Sequence, residues 1–305
     1  MKYTHLDAEE SVFFSRQLEH FKTKAYDVKY PGLKARMMIP VSSEADSGAE
    51  SITYDQFDMV GMAKIIANYA NDLPRVDVKG KQFTASIKSL GASYGYNLQE
   101  IRAAAKANRN LTQRKANAAL RAVKQQENNI AFFGDTAANL QGWFTNPNIP
   151  DVALATGSWI TNATSNPDGV IGDMNDLANT VADQSNGVEE ADTMLMPLQH
   201  FTKLRSTPRS STTDTTIMQY FLDNNGFIKD VDWLNELDAS KFSAIGNDSA
   251  IAYRRNEDAF TLEIPQDFET FAPQLKGLEW EVPVHERIGG VLIYYPLSQA
   301  ITDDI

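Results

Sequence analysis

A helical period of hydrophobic positions is clearest in residues 111–135. This stretch is rich in Ala, Arg, Lys and Gln, which favour helix, and its apolar positions recur at i, i+3 and i+4. At 1.5 Å per residue the predicted helix spans roughly 35 Å. Asn110 is its expected N-cap and Gly134 its expected C-cap, and a shorter amphipathic helix is predicted for residues 98–107. The apolar stripe of the long helix comprises Ala116, Ala119, Leu120, Val123, Glu127, Ile130 and Ala131.

Residues 51–97 show the two-residue period of strands. Pro74 and Gly80 interrupt this period, so the pattern predicts extended structure around a loop, although residues 62–70 could also form a short helix. The alternation changes parity once, near Ser89, and a single change of parity predicts a β-bulge. The apolar positions are Phe83, Ala85 and Ile87 before the change, and Leu90, Ala92, Tyr94 and Tyr96 after it.

The rest of the chain is less regular. Residues 1–50 carry scattered apolar clusters without a period and end in a Ser/Glu/Gly-rich stretch, which is typical of an arm that lies across other surfaces. From about residue 150 the pattern predicts a mixture of short helices and strands, so the fold class is α+β. Helices are expected at 173–187, 198–206 and 212–226, and strands at 192–197, 227–234, 250–255, 260–265 and 278–296.

Composition excludes several classes of site. The chain has 305 residues and no Cys, so it has no disulfide framework, thiolate metal site or cysteine nucleophile. The N-terminal stretch lacks the basic-then-apolar layout of a signal peptide, and no apolar run has the length of a membrane helix. We therefore expect a soluble protein that is not secreted.

The net charge of −12 is unevenly distributed. Residues 1–135 contain 19 Lys and Arg against 15 Asp and Glu, whereas residues 136–305 contain 9 against 25. Chance and solubility explain this asymmetry as well as function does. The functional interpretation is that the basic part lies near a polyanion while the acidic part faces solvent.

One motif raises the question of catalysis. Residues 91–95 read GASYG and match the G-x-S-x-G nucleophile elbow, and His200 or His285 could complete a hydrolase triad with Ser93. An elbow requires a sharp strand-turn-helix, whereas the strand alternation continues through Ser93. The four histidines lack metal-ligand spacing, and no phosphate-binding glycine motif occurs. The sequence thus predicts no catalytic, cofactor or metal site.

Four segments resemble the major capsid proteins of tailed bacteriophages with the Hong Kong 97-type fold. The most specific part is residues 95–150, which contains the long helix and the stretch QQENNIAFFGDTAANLQGWFTNPNIP at 125–150. DLPRVDVKG and YGYNLQEIRAA precede that helix, and GGVLIYYP occupies residues 289–296. The encapsulin-like (linocin-like) group of these proteins is the most similar.

The resemblance implies a phage capsid-type fold in five parts. Residues 1–50 would be an N-terminal arm, 51–97 an extended E-loop ribbon with its strands, and 98–150 a peripheral domain with a long spine helix. Residues 151–258 would be an axial α/β domain, and 259–305 would return to the peripheral domain. In this arrangement Ser93 is structural.

The resemblance also implies a function. The protein would be a non-enzymatic major capsid protein that self-assembles as pentamers and hexamers into an icosahedral head shell around double-stranded DNA. It would be found in the virion, and in the host cytoplasm during assembly, with no membrane partner. A portal would be a further partner, as would scaffold or decoration proteins where a head uses them. Candidate E-loop contacts between subunits are Arg75, Asp77, Lys79 and Lys81, and candidate inner-surface residues for nonspecific DNA contact are Arg114, Lys115, Arg121 and Lys124.

Two alternatives remain open at this stage. An encapsulin, the shell protein of a bacterial nanocompartment, shares the fold and a similar 125–150 stretch, and the sequence separates it poorly from a phage capsid protein. A serine hydrolase using Ser93 is the alternative from another class.

Overall fold

The predicted long helix runs from Leu111 to Phe133 and is the longest helix in this computed structural model. The structure describes residues 29–63, 75–107, 111–242, 244, 246–303 and 305. The predicted cap Asn110 and most of the alternative helix at 62–70 lie outside these residues. The chain divides into Met1–Gly32 and Leu33–Ile305, and all the helices and strands described lie in the second unit.

Most helices form where the apolar period predicts them. The helix at 198–206 has the predicted limits, and Gly134 follows the long helix with a positive φ of 71°, as its C-cap role requires. The helix predicted at 173–187 begins earlier, because Pro167 occupies its first turn and Asn166 caps it. The helices are α1 (Ala35–Met38), α2 (Leu98–Ala107), α3 (Leu111–Phe133), α4 (Trp159–Ser165), α5 (Pro167–Gln184), α6 (Leu198–Ser206) and α7 (Ile217–Asn224).

Thirteen strands are distributed along the described residues, from Val41 to Asp303. All five strand segments predicted beyond residue 190 contain a strand. The strands are β1 (Val41–Ser42), β2 (Ser51–Val60), β3 (Asp77–Ser86), β4 (Lys88–Asn97), β5 (Thr193–Met196), β6 (Asp230–Trp233), β7 (Ser249–Tyr253), β8 (Phe260–Glu263), β9 (Gln266–Thr270), β10 (Gln274–Lys276), β11 (Glu279–Ile288), β12 (Gly290–Ile293) and β13 (Gln299–Asp303).

These strands form four sheets. β2 and β3 pair antiparallel as a two-stranded ribbon. β11 pairs with β4 along one edge and with β10 and β9 on the other, which gives a long antiparallel sheet. β1, β8 and β12 form a three-stranded sheet, and β13, β7, β5 and β6 form a four-stranded one.

The prediction of a β-bulge near Ser89 is wrong. The change of parity marks the point where the chain leaves one sheet and enters another, because β3 ends at Ser86 and β4 begins at Lys88. Ile87, between them, is buried and donates its N–H to the carbonyl of Glu50. One buried residue therefore separates the ribbon from the long sheet.

The described residues form two large hydrophobic cores. The first surrounds Trp143, which is fully buried, stacks on Phe132 and donates its indole N–H to Gln299 at 2.5 Å. The second lies between the four-stranded sheet and helices α4 to α7 and includes the fully buried Trp159. β7 serves both cores, since alternate residues of a strand face opposite sides of a sheet.

A smaller contact fixes the long sheet on α3. Ala119 and Val123 of α3 pack against Val284 of β11, with Ala92 and Tyr94 of β4 beside them. The predicted apolar stripe of α3 is therefore largely buried. Leu120 is the exception and is exposed at the surface.

Candidate interaction surfaces

Most residues of the β2–β3 ribbon are exposed. Its strands pair over ten positions, from Ser51 opposite Ser86 to Val60 opposite Asp77. Residues directly opposite each other share a face, and faces alternate along each strand. The distal half of the ribbon therefore has two faces of different chemistry.

One distal face is apolar. Phe57, Met59 and Val78 lie on it with 67%, 82% and 55% of their surface exposed. Gly80 lies opposite Phe57, and a Cβ there would come within 2.9 Å of Phe57 Cε1, so the aromatic ring lies across the glycine. We call Phe57, Met59 and Val78 the apolar ribbon face.

The opposite distal face is charged. Asp58 lies opposite Lys79, and Gln56 lies opposite Lys81. Of the candidate contacts predicted from sequence, Asp77, Lys79 and Lys81 lie on this face, and Arg75 lies just before β3, exposed. The structure therefore places these three charged candidates on the side away from the apolar ribbon face.

Aromatic contacts hold the base of the ribbon. Tyr54 stacks on Phe83, with 5.3 Å between the ring centroids. It also packs edge to face against Tyr294, which directly follows β12, with 4.9 Å between the centroids. The Ser86 hydroxyl also donates to the carbonyl of Asn139 at 3.0 Å. The ribbon is thus attached to the first core at its base and extends freely beyond it.

Among the candidate DNA-facing residues on α3, Lys115 and Lys124 contact carboxylates of the same subunit. Lys115 Nζ donates to Glu100 Oε2 at 2.8 Å and to the carbonyl of Gly95 at 2.6 Å. Lys124 Nζ contacts three carboxylates, described next. Arg114 is exposed and Arg121 is half-buried.

A cluster of five charged side chains joins α1, α3, β9 and β11. Arg36 donates to Glu127 from Nε at 2.6 Å and from Nη2 at 3.0 Å. Its Nη2 also lies 2.8 Å from Asp267 Oδ1 and 3.1 Å from Glu286 Oε1. Lys124 contacts Glu127, Asp267 and Glu286 at 2.8, 2.7 and 2.9 Å. Two cations therefore serve three carboxylates, and we call this group the carboxylate cluster.

The three acids differ in their environments. The hydrogen bond from Arg36 holds the pKa of Asp267 well below its usual range. Burial alone would raise the pKa of Glu127, but hydrogen bonds from Arg36 and other neighbours lower it. Burial, reinforced by a hydrogen bond with Glu127, raises the pKa of Glu286 to about 7.

Sequence reasoning did not single out the apolar ribbon face or the carboxylate cluster as functional. Glu286 occupies the core parity of β11, between Val284 and Ile288, and Glu127 lies on the apolar stripe of α3. A charge at a position whose period is otherwise apolar was the available signal.

Ser93 lies in the interior of β4, opposite Pro283 of β11. The sharp strand-turn-helix of a nucleophile elbow is absent there, and neither Gly91 nor Gly95 has a positive φ. The Ser93 side chain hydrogen-bonds to Glu281, a carboxylate that also pairs with Lys276. The geometry therefore contradicts the elbow hypothesis.

Replacing Ser93 with Ala is expected to leave ester hydrolysis unchanged. The alternation of β4 is kept, and only one exposed hydroxyl is lost. Turnover of an activated ester by both proteins, measured against buffer alone, checks this. A turnover by the unsubstituted protein that disappears with Ser93→Ala would contradict it.

The described residues contain neither a metal-binding cluster nor a membrane-spanning helix. Within those residues, no group of three or more His, Asp or Glu side chains is arranged to hold a metal ion. Across the same part of the chain, no helix has the length and apolar character needed to cross a bilayer.

Comparison with known proteins decides the family. A family model described as major capsid protein matches residues 61–305, well over half of the chain. The chain belongs to the major capsid protein family. No curated protein sequence matches it.

Solved structures agree on the fold. The capsid of Myoviridae phage XM1 has a TM-score of 0.84 at 16% identity, covering 97% of this chain and 100% of that one. A chain of Mycobacterium phage Ogopogo gives 0.62 at 12% identity, with coverages of 97% and 100%. A virus-like particle from Pyrococcus furiosus gives 0.56 at 15% identity, with coverages of 88% and 91%.

These findings confirm the predicted capsid-type fold and the predicted shell-forming role. Capsid proteins are structural proteins whose copies assemble into the shell of the virion. Neither alternative, the nanocompartment shell protein or the serine hydrolase, is favoured by the family match.

Proposed function

We propose that this capsid protein builds the icosahedral head of a tailed phage around double-stranded DNA, with copies arranged as pentamers and hexamers. The observation that carries the proposal is the exposed ribbon with one apolar face. A two-stranded ribbon is marginally stable alone, and exposed apolar patches mark surfaces that another chain covers. In a shell, the neighbouring copy is the chain available to cover it.

The fold supports a division into the parts expected for such a protein. Residues 1–50 would be the arm, 51–97 the E-loop, and 98–150 with the following return strands the peripheral domain around the first core. Residues 151–258 would be the axial domain around the second core. Since β13 pairs with β7, we assign Gln299–Asp303 to the axial sheet and shorten the return segment to 259–298.

The apolar ribbon face changes the proposed contacts between copies. Apolar burial supplies most of the free energy of association, whereas exposed charges contribute little. We assign the main contact to Phe57, Met59 and Val78. Arg75, Asp77, Lys79 and Lys81 would then act at the rim, where charges orient the neighbour.

Contact with DNA would be weak and nonspecific. Arg114, Lys115, Arg121 and Lys124 remain the proposed inner-surface residues, but Glu100 and the carboxylate cluster neutralise two of them. Phosphate contacts of this kind weaken steeply with salt. A portal, any scaffold or decoration proteins, and assembly in the host cytoplasm complete the proposal.

Expression of the recombinant chain tests this function. We expect closed shells, or rings of five and six copies, by negative-stain electron microscopy, with a matching mass by light scattering. Shells made in cells producing the other head proteins should protect double-stranded DNA from nuclease. A chain that stays monomeric even beside those proteins, or whose shells enclose an enzyme and no DNA, would contradict the proposal.

A further inference from the structure

The carboxylate cluster contains more acid than its cations can balance. Arg36 and Lys124 carry two positive charges, whereas Glu127, Asp267 and Glu286 would carry three negative charges if all were ionised. The Glu286 side chain has no solvent exposure, so its charge could not be screened by water. An uncompensated buried charge is costly, and proteins usually avoid it by retaining a proton.

The donors identify which acid retains the proton. Both oxygens of Glu127 accept, Oε1 from Arg36 and Oε2 from Arg36 and Lys124. Glu286 accepts from the same two cations with Oε1 alone. Among the described residues, no group donates to its buried Oε2. Glu127 Oε2 and Glu286 Oε1 accept from the same two nitrogens, Arg36 Nη2 and Lys124 Nζ, so the two carboxyl groups lie close together and a proton between them would relieve their repulsion.

We propose that Glu286 carries a proton that it donates to Glu127, and that loss of this proton at alkaline pH loosens the attachment of α1 to α3. The charged groups facing Glu286 are Arg36 from α1, Lys124 and Glu127 from α3, and Asp267 from β9. With the proton in place, the cluster holds two positive and two negative charges. Without it, two adjacent carboxylates repel each other beneath Arg36.

α1 is the element that would respond. Apart from Arg36, polar contacts hold this single turn at a few points, among them the Ala35 N–H to Asn128 Oδ1 at 3.1 Å and the Tyr253 hydroxyl to the carbonyl of Met38 at 3.1 Å. α1 lies within the proposed arm, residues 1–50. The proton would therefore set how firmly the arm is attached to the body of the subunit. This inference holds whatever the shell encloses.

The pH dependence has a definite sign. The pKa of Glu286 is raised from its ordinary value of 4.5 to about 7, so the stabilisation it provides is complete at acid pH and is lost as pH rises through 7. Between about pH 6 and pH 8.5, linkage predicts that opening which exposes Glu286 becomes up to about tenfold more favourable.

Hydrogen exchange of assembled shells tests the proposal. The Met38 and Ile39 amides donate within α1, so they report its opening. After correction for intrinsic exchange rates, we expect their protection to fall up to about tenfold over that pH range in the unsubstituted protein. In Glu286→Gln it should stay constant, because the amide keeps a donor toward Glu127 at every pH.

Glu127→Gln is the matched control. It makes the same chemical change in the same cluster but removes the charge that Arg36 grips, so protection of α1 should fall at every pH. Equal losses from the two substitutions would show that both acids are ionised and overturn the proposal. Should Glu286→Gln fail to fold, infrared spectroscopy of the unsubstituted protein decides. A protonated carboxyl band that titrates near neutral pH supports the proposal, and its absence overturns it.

Discussion

Replacing Phe57, Met59 and Val78 together with Ser is expected to abolish shell formation and leave the subunit folded. None of the three side chains belongs to the hydrophobic cores of the described residues, and each is more than half exposed. Burying such a side chain contributes about 1.5 to 3 kcal/mol, and in a shell this contribution recurs at every ribbon. Electron microscopy should show free subunits, and circular dichroism should show an unchanged fold.

The opposite face of the same ribbon provides the control. Replacing Asp77, Lys79 and Lys81 with Ser changes as many residues of the same ribbon, all on β3 and on the charged face. These shells should still form, with at most a slower or more salt-sensitive assembly. If the charged-face variant fails to assemble and the apolar-face variant succeeds, the assignment of the contact is wrong.

Gly142→Ala is expected to lower the free energy of unfolding by more than about 3 kcal/mol, enough to leave much of the protein insoluble. Residues 140–144 fold back on the end of α3. There the backbone N–H of Trp143 donates to the carbonyl of Ala131, and the backbone N–H of Phe144 donates to the carbonyl of Phe132. A Cβ at Gly142 would overlap the backbone of Phe133 and Gly134. Backbone cannot move aside as a flexible side chain can, so the turn would have to open. The yield of soluble protein and its thermal midpoint measure the effect.

Gly172→Ala is the matched substitution. Gly172 lies inside α5, and a Cβ there meets no atom within 4 Å. Since Ala favours helix over Gly by about 1 kcal/mol, this variant should be as stable as the parent or more so. A loss of stability equal to that of Gly142→Ala would show that close packing of the turn is not the cause.

Elements with a continuous local period were predictable from the sequence. α3 and α6 repeat their apolar residues every three or four positions, and β4 alternates over its whole length, so neighbours in sequence carry the information. The parity change near Ser89 was also visible, but its meaning was not. A bulge and a passage from one sheet to another leave the same local pattern, and only pairing with distant strands distinguishes them.

The candidate surfaces depended on distant pairing in the same way. The carboxylate cluster brings together residues 36, 124, 127, 267 and 286, and one sequence gives no sign that these positions meet. In the ribbon, the predicted contacts were the charged residues Arg75, Asp77, Lys79 and Lys81, which followed from the family resemblance. The register of β2 against β3 shows instead that Phe57, Met59 and Val78 share a face.

The single residue between the ribbon and the long sheet has a mechanical consequence. A strand of ten residues reaches roughly 33 Å from Ile87, so the ribbon is a lever with a buried pivot. A flexible linker at that point would extend under the pull of a neighbouring copy and would not transmit the force. With β4 continuing directly from the pivot and packed on α3, the load passes into the body of the subunit. Under the proposed contact between copies, tension on a ribbon tip would reach the body of its own subunit as a torque about Ile87.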